Sequence, residues 1–582
     1  MSINRRRYTQ KPFNLNEQDL DWIELTMNEM SVDEKLDQIF VDMLWNDSPK
    51  EVESLVKEHN FGGFRYNNQD AKTQWEQNRA IQTGKIPALI AANVEAGGNG
   101  AVKGGTKLGE GIAIAATQNP ENAYYMGYYG CKEAAAVGCN WTFAPVTDID
   151  FNWRNCVIPT RCFGNNPDMV LKMSLAYMRG ASDAGVACCM KHFPGDGLDE
   201  RDQHLCTTVN SLSCEEWDAS FGKVYQGMID AGIPSVMVGH IMLPSYSRAL
   251  RPGIKDSEIM PATVAPELLN GLLRQKLGFN GLIITDATHM VGITSKKQRR
   301  LFIPEMLMSG CDMILYYRRL EEDLCYLKEA LADGRLTYER LDEAVATVLA
   351  FKAHLKLHLK QQSRTLLPDA SALSQIGCNQ HIKKAAQIID DSITLVKNTR
   401  DQLPLSPEQE KRIIIYPVEG GGIMEKLKRK KSTAQLLAEE LAAVGFEPEI
   451  YKLKPLKYLS PKGINGKKAL AELSVAEFKE KYDAAIVLCN ISAFSVTNGR
   501  NIKWKIPMGP EIPWYASEIP TIAISVAHPF HLLDLPMVPV YINTYNDSRE
   551  TMHQLVQKLT GKSTFKGISP VDAFCDMWDT HL

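Results

Sequence analysis

The sequence lacks several features that would each indicate a definite class of protein. It has 13 cysteines but no Cys-x-x-Cys pair, so a structural zinc site of the common spacing is not expected. An odd number of cysteines without paired spacing is typical of reduced thiols in a cytoplasm, and not of a secreted disulfide scaffold. No apolar run approaches the length needed to cross a membrane.

The amino-terminal region is not expected to be a secretory signal. Arg5, Arg6 and Arg7 are followed by Tyr-Thr-Gln-Lys-Pro and not by an apolar stretch, so we expect a cytoplasmic protein. The formal net charge of −4 argues against nucleic acid or an anionic membrane as the main partner. One basic run, at residues 425–431, is interpreted as a solvated helix face.

Motifs for nucleotide binding and for serine hydrolases are missing as well. Gly-Lys-Ser-Thr at 561–564 lacks the upstream glycine of a phosphate-binding loop. The glycines at 97–100 do not fit a dinucleotide fold, because Lys103 stands where its last glycine is required. The sequence contains no Gly-x-Ser-x-Gly elbow. No cofactor is therefore expected.

Apolar runs of strand length alternate with amphipathic helical segments through most of the chain. A chain of 582 residues is too long for one core, so two or more domains are expected. About eight strand–helix units over residues 1–358 predict a (β/α)₈ barrel of the TIM type, although periodicity alone leaves a doubly wound sheet open. The strands are predicted near residues 61–66, 87–92, 141–148, 186–190, 234–240, 281–286 and 313–317.

The remaining residues predict a second α/β domain. Residues 359–384 are expected to form a linker. Six further strands between residues 392 and 543, with helices near 432–444 and 548–559, predict an αβα sandwich over 385–582.

The densest polar segment is residues 191–206, which follows the apolar run 185–190. A buried strand is predicted for that run, so the polar cluster emerges at its carboxyl end, where α/β folds place catalytic groups. Asp202 and His204 are two residues apart, and alternate residues of an extended loop point the same way. A carboxylate that binds one ring nitrogen would leave the other for proton transfer. The alternative is a salt-bridge loop on the surface.

Two charged residues end predicted strands. Lys191 is costly at the end of a buried strand unless it meets an anion or the oxygen atoms of a ligand, and the alternative is a side chain that reaches out to solvent. Asp286 ends the run Gly-Leu-Ile-Ile-Thr-Asp and is a candidate nucleophile or base. The alternative for Asp286 is a cap of the following helix.

Lys-His-Phe-Pro-Gly at 191–195, followed by an Asp-x-His, resembles the signature of the bacterial β-N-acetylglucosaminidases of glycoside hydrolase family 3. The resemblance covers nearly the whole chain and is strongest over residues 30–290. Its other motifs, in order, are Met-Ser-Val-Asp-Glu-Lys-Leu-Asp-Gln at 30–38, Phe-Ala-Pro-Val-Thr-Asp at 143–148, Arg-Cys-Phe-Gly at 161–164, Gly-Phe-Asn-Gly-Leu-Ile-Ile-Thr-Asp at 278–286, and Leu-Val-Lys-Asn at 395–398.

This resemblance implies an exo-acting, retaining β-N-acetylhexosaminidase that removes terminal β-linked N-acetylglucosamine through a covalent glycosyl-enzyme. It implies that Asp286 is the nucleophile and that His204, oriented by Asp202, is the general acid/base. No metal is required by such a mechanism. The resemblance also implies three residues that hold sugar hydroxyls: Arg161, Lys191 and His192.

Two stretches, at Asp196 and at residues 93–98, depart from the family's pattern. Asp196 stands where the family usually has His. Asn93 stands where it usually has a sugar-binding Asp, and the Arg expected soon afterwards is missing. Asn93 can still form hydrogen bonds with a sugar, but without charge. These differences leave the natural glycan and its acyl group open.

Three alternative functions therefore remain. One is a β-glycoside phosphorylase on the same scaffold, because an uncharged acid/base repels phosphate less than a carboxylate would. The others are a β-glucosidase-like hydrolase and a catalytically inactive sugar-binding protein. The sequence does not determine the oligomeric state.

Overall fold

The computed structural model describes residues 3–420, 431–452, 473–491, 499–505 and 509–582. The basic run at 425–431 lies outside these residues except for Lys431. Two compact units are present: Met1–Gly111 with Pro120–Lys384, and Ile112–Asn119 with Ala385–Leu582. Within the described part of the chain, no helix combines the length and the hydropathy needed to span a bilayer.

The first unit is built on a parallel eight-stranded sheet. Its strands, with the short pair β6 and β8 that forms a separate sheet, are Phe40–Leu44 (β1), Gly63–Tyr66 (β2), Leu89–Ala92 (β3), Trp141–Thr142 (β4), Ala187–Phe193 (β5), Thr208–Val209 (β6), Ser235–Val238 (β7), Ile241–Met242 (β8), Leu282–Thr285 (β9) and Ile314–Leu315 (β10). The spatial order is β10-β1-β2-β3-β4-β5-β7-β9. A further parallel bridge joins Ile284 to Met313, just before β10, so the sheet returns to its starting strand. The predicted (β/α)₈ barrel is confirmed.

Helices connect these strands. Their bounds are Arg5–Tyr8, Glu17–Glu29, Val32–Gln38, Pro49–Glu58, Ala71–Ile81, Pro120–Ala136, Pro167–Asp183, Cys214–Trp217, Asp218–Gly222, Lys223–Asp230, Pro244–Leu250, Glu267–Lys276, Val291–Thr294, Arg299–Ser309, Leu320–Asp333, Tyr338–His354 and Leu357–Gln362. The start of the third helix shows how the sequence sets such bounds. Ser31 accepts from the backbone of Glu34, whose side chain in turn accepts from the backbone of Ser31.

Two strand predictions need correction. Strand β1 was not predicted, because it follows the helix Val32–Gln38 after a single residue and its apolar positions continue the helical spacing. Strand β4 is only two residues long, although a strand was predicted over 141–148. Pro145 has no backbone N–H to donate, and pairing resumes only as an isolated bridge between Val146 and Lys191.

The second unit contains a six-stranded sheet. Its strands are Thr394–Asn398 (β11), Arg412–Glu419 (β12), Glu447–Ile450 (β13), Ala484–Asn490 (β14), Thr521–Ser525 (β15) and Val540–Asn543 (β16), in the order β11-β16-β15-β14-β12-β13. Only the pair β11 and β16 is antiparallel. Buried apolar residues of the helices Thr433–Ala443 and Arg549–Leu559 pack against the sheet. The predicted α/β architecture is confirmed, with all six strands near their predicted positions.

Residues 359–384, predicted to be a linker, include the end of the helix Leu357–Gln362 and a 3₁₀ segment, Ala370–Gln375. The helix Asn379–Ser392 then crosses the boundary between the two units.

Candidate active site

Polar side chains collect at the carboxyl ends of the barrel strands. Glu95 lies three residues after β3, Lys191 and His192 lie near the carboxyl end of β5, and His240 follows β7. Asp286 comes directly after β9. Because parallel barrel strands end at the same face, residues far apart in sequence meet there.

Glu95 holds two of the predicted sugar-binding residues. Its carboxylate accepts from Arg161 Nε at 2.8 Å and Nη2 at 3.0 Å, and from Lys191 Nζ at 2.5 Å. The Lys191 side chain is only 3% exposed, so it is anchored by an anion and does not reach out to solvent. Burial would raise the pKa of Glu95, but the charges of Arg161 and Lys191 outweigh burial and hold that pKa well below its usual range. Glu95 is therefore ionised.

His192 is held in a similar way by a buried carboxylate. Asp148 Oδ2 lies 2.7 Å from His192 Nδ1, and Asp148 Oδ1 accepts from the backbone N–H of His192 at 3.1 Å. This contact leaves Nε2 as the ring nitrogen available to a ligand. The same Oδ1 accepts from the backbone N–H of Asp196 at 2.8 Å.

Asp196, which departs from the family pattern, points into the protein. Its Oδ1 accepts from Asn155 Nδ2 at 3.0 Å and from the backbone N–H of Gly197 at 2.7 Å. Burial, with the nearby charge of Asp148, raises the pKa of Asp196 to about 7.

Among the described residues, no group of three or more His, Cys, Asp or Glu side chains is placed to hold a metal ion.

Asp202 and His204 form the predicted pair. Asp202 Oδ1 lies 2.6 Å from His204 Nδ1 and also accepts from the backbone N–H of His204 at 2.8 Å. The expected extended loop was wrong, because the backbone N–H groups of Leu205 and Cys206 both donate to the Asp202 carbonyl and close a turn. The pair forms because an aspartate can accept from the backbone two residues ahead.

The environments of the two residues differ. The Asp202 side chain is fully buried, whereas that of His204 is 32% exposed. Burial would lower the pKa of His204, but the hydrogen bond with Asp202 and the charge of Asp286 outweigh burial and raise that pKa. The turn therefore presents a readily protonated imidazole to solvent, unlike a salt bridge between two surface groups.

The turn that carries His204 is attached to the segment after Asp286. The backbone N–H of Val291 donates to the His204 carbonyl at 3.2 Å, and Thr207 Oγ1 donates to the Gly292 carbonyl at 2.7 Å. Asp286 and His204 are therefore carried by two segments that are hydrogen-bonded to each other.

Asp286 is positioned by backbone contacts. Its N–H donates to the Val238 carbonyl at 2.8 Å, and its Oδ1 accepts from the N–H of Ala287 at 2.7 Å. The next helix begins at Val291 with Met290 at its N-cap, so Asp286 does not cap it. Burial would raise the pKa of Asp286, but three nearby histidines outweigh burial and lower that pKa. These are His192, His240 and His204.

Asn93 lies exposed directly after β3, at the same face of the barrel as these groups. The site thus combines an ionised carboxylate, an imidazole with a raised pKa and three buried or half-buried donors. This combination can stabilise positive charge on one side of a bond and supply a proton on the other.

Three residues of the site had no predicted role: Glu95, Asp148 and His240. Glu95 and its partners are separated by 66 and 96 positions, and single-sequence patterns carry no information about such contacts. Only their positions in the sequence indicated a role, because each of the three is a polar residue at or after the end of a predicted strand.

Comparisons with known proteins place the chain in a family. Residues 31–351 match the family model described as "Glycosyl hydrolase family 3 N terminal domain". The chain is 39% identical over 575 residues to a "Beta-N-acetylglucosaminidase/beta-glucosidase" of Cellulomonas fimi, with 99% of each chain covered.

Two solved structures are similar to this chain over most of its length. A "Beta-glucoside phosphorylase BglX bound to 2FGlc" is 36% identical with a TM-score of 0.92, and the match covers 99% of this chain and 100% of that one. A family 3 β-N-acetylglucosaminidase from Paenibacillus sp. str. FPU-7, at 23% identity and a TM-score of 0.75, shares the fold over 94% of this chain and 99% of its own. The chain belongs to glycoside hydrolase family 3.

Proposed function

We propose that the protein cleaves terminal β-linked N-acetylglucosamine from glycosides by a retaining double displacement. The observation that carries the proposal is the presence of two groups in opposite protonation states: a carboxylate without its proton and an imidazole that holds one. Asp286 is held ionised, while His204 has a raised pKa and binds Asp202 on a turn attached to the segment after Asp286. A two-step glycosidase needs one ionised nucleophile and one proton carrier of this kind.

In the first step, Asp286 attacks the anomeric carbon and forms a covalent ester with the sugar. The bond to the leaving oxygen breaks, and that oxygen takes a proton from His204 Nε2. Asp202, bound at Nδ1, stabilises the imidazolium before the transfer and fixes the tautomer after it. In the second step, neutral His204 takes a proton from the acceptor, which attacks the anomeric carbon and releases Asp286. Two inversions give net retention.

Arg161, Lys191 and His192 hold the hydroxyls of the sugar in this proposal. Glu95 and Asp148 fix their donor groups in place, so little reorganisation is needed when substrate binds. The name of the Cellulomonas fimi relative includes β-glucosidase. We therefore propose that the site also accepts β-glucosides, with Asn93 as a neutral hydrogen-bonding group at the rim.

Phosphate is the second candidate acceptor. Two points favour it: the structure that matches the chain at a TM-score of 0.92 is named a phosphorylase, and the residue that we propose as the acid/base, His204, carries an imidazole that binds Asp202. After the first step that imidazole is uncharged and does not repel an approaching phosphate as a carboxylate would.

Nitrophenyl N-acetyl-β-glucosaminide and the corresponding glucoside, each assayed with and without inorganic phosphate, test both candidates. Hydrolysis predicts phosphate-independent rates and a free sugar released first as the β-anomer. Phosphorolysis predicts a rate that rises with phosphate and a sugar 1-phosphate as the product. If no member of a panel of β-glycosides is turned over under either condition, the enzymatic function is wrong and a sugar-binding protein remains.

A further inference from the structure

Gln203 lies between the two members of the proposed proton-transfer pair and is 1% exposed. Its side-chain Oε1 accepts from the backbone N–H of His240 at 3.0 Å, and its Nε2 donates to Asp196 Oδ2 at 3.4 Å. Its carbonyl accepts from the backbone N–H of Gly292 at 3.1 Å. One residue thus joins the acid/base turn to three segments of the barrel face, of which the one at Asp196 belongs to the same loop.

Two of these segments also position the nucleophile. His240 Nε2 lies 3.1 Å from the carbonyl of Ala287, the residue after Asp286. Gly292 belongs to the helix that follows Asp286. A Cβ at Gly292 would come within 2.7 Å of the Gln203 carbonyl oxygen, so glycine is what permits this close approach. Gln203 therefore sets the turn relative to the Asp286 segment, and not only relative to its own loop.

We propose that Gln203 is a positioning residue that directs His204 toward the leaving oxygen, with Asp196 as the acceptor for its amide. The inference rests on the proposed function, because it assumes that His204 is the general acid. It also gives the departure at Asp196 a role: a buried carboxylate at that position accepts the Gln203 amide. The effect of Gln203 is exerted through His204, so removing it should impair proton donation and leave nucleophilic attack intact.

The test is the dependence of kcat/KM on the leaving group. Gln203→Met keeps the length of the side chain and removes both of its hydrogen bonds. A 2,4-dinitrophenyl glycoside needs no protonation as it leaves, whereas a phenyl or alkyl glycoside does. General acid catalysis contributes about 10²–10⁴-fold, so we expect Gln203→Met to lower kcat/KM at least about tenfold for the poor leaving groups and less than about threefold for dinitrophenolate.

The ratio of the two rates on one preparation is independent of the fraction of active enzyme, so a partial loss of folding does not imitate this result. Gln203→Asn, which keeps the amide on a shorter chain, is a second variant if Gln203→Met gives no folded protein. Gln82→Met is the matched control. Gln82 also makes two side-chain hydrogen bonds to backbone, with the N–H and carbonyl of Ala88 before β3, and its replacement should leave the ratio unchanged.

His204→Ala separates failure of this inference from failure of the proposed function. If His204→Ala itself shows no dependence on the leaving group, His204 is not the acid and the proposed mechanism is wrong. If His204→Ala shows the dependence and the Gln203 variants do not, Gln203 is only a buried polar residue. An equal change in Gln82→Met would also overturn the inference.

Discussion

Replacing Glu95 by Gln should impair both the stability and the activity of the protein. The change keeps the shape of the side chain but removes the charge that two cations share. Because the new amide N–H₂ group can only donate, it must face donor groups of Arg161 or Lys191. Two positive charges then lie at a site where Lys191 is only 3% exposed, without the carboxylate that neutralised them.

The expected magnitude follows from these contacts. Breaking a buried ion pair by removing one partner costs about 3–5 kcal/mol. If about 3 kcal/mol of this appears as lost orientation of Arg161 and Lys191 around the sugar, kcat/KM falls by about 10², because each 1.4 kcal/mol is about a factor of ten. We expect a fall of that size in Glu95→Gln, together with a lower midpoint of thermal unfolding.

The assay is kcat/KM on nitrophenyl N-acetyl-β-glucosaminide, with unfolding followed by circular dichroism. Glu121→Gln is the matched control, because Glu121 pairs with Arg179 at 3.1 Å where both side chains are more than half exposed, and such pairs contribute about 0–1 kcal/mol. The double variant Glu95→Gln with Lys191→Met should lose less stability than the sum of the single changes. A Glu95→Gln protein with wild-type kcat/KM would refute the role assigned to this carboxylate.

Three further predictions concern the same face of the barrel. Arg161→Lys should lower kcat/KM at least about tenfold, because lysine cannot reproduce the bidentate contact of the guanidinium with the Glu95 carboxylate. A wild-type value would contradict the role given to this contact. The raised pKa of His204 keeps the imidazole protonated to a higher pH, so the alkaline fall of kcat/KM should have its midpoint above the ordinary histidine pKa of about 6.5. Asp202→Asn should move this midpoint to lower pH in a pH–rate profile. An unchanged midpoint would exclude Asp202 as the partner of the acid. Gly197→Ala should lower the midpoint of thermal unfolding more than Gly185→Ala does. Both glycines have positive φ, but of the two only the Cβ at Gly197 would collide with a backbone oxygen, that of Ile149; equal effects would contradict this explanation.

Much of the fold could be predicted from the sequence, because short apolar runs mark most of the strands and many of the helices between them are long enough to show their apolar spacing. Strand β1 shows where this reading fails. Phe40–Leu44 follows the helix Val32–Gln38 almost directly, and Asp42 interrupts its apolar run. Only the pairing of β1 with β2 and β10 makes it a strand, and such pairing is set by the tertiary fold.

The candidate site was predictable where its residues are close in sequence. Asp202 and His204 could be paired from their spacing, although through a turn and not an extended loop. Glu95 could not be assigned to Arg161 and Lys191, because that contact depends on how three distant segments end at one face of the barrel. A carboxylate after a strand has the same local pattern whether it binds substrate, a cation or a helix terminus.

The central claim is that Asp286 forms a covalent bond with the sugar. Incubation with 2-deoxy-2-fluoroglucosyl fluoride or a 5-fluoro-N-acetylglucosaminyl fluoride slows release of the sugar, so a glycosyl-enzyme accumulates and can be located by proteolysis and mass spectrometry. We expect an adduct on the peptide that contains Asp286 and none in Asp286→Ala. An adduct on another residue, or turnover of these reagents by Asp286→Ala at the wild-type rate, would contradict it.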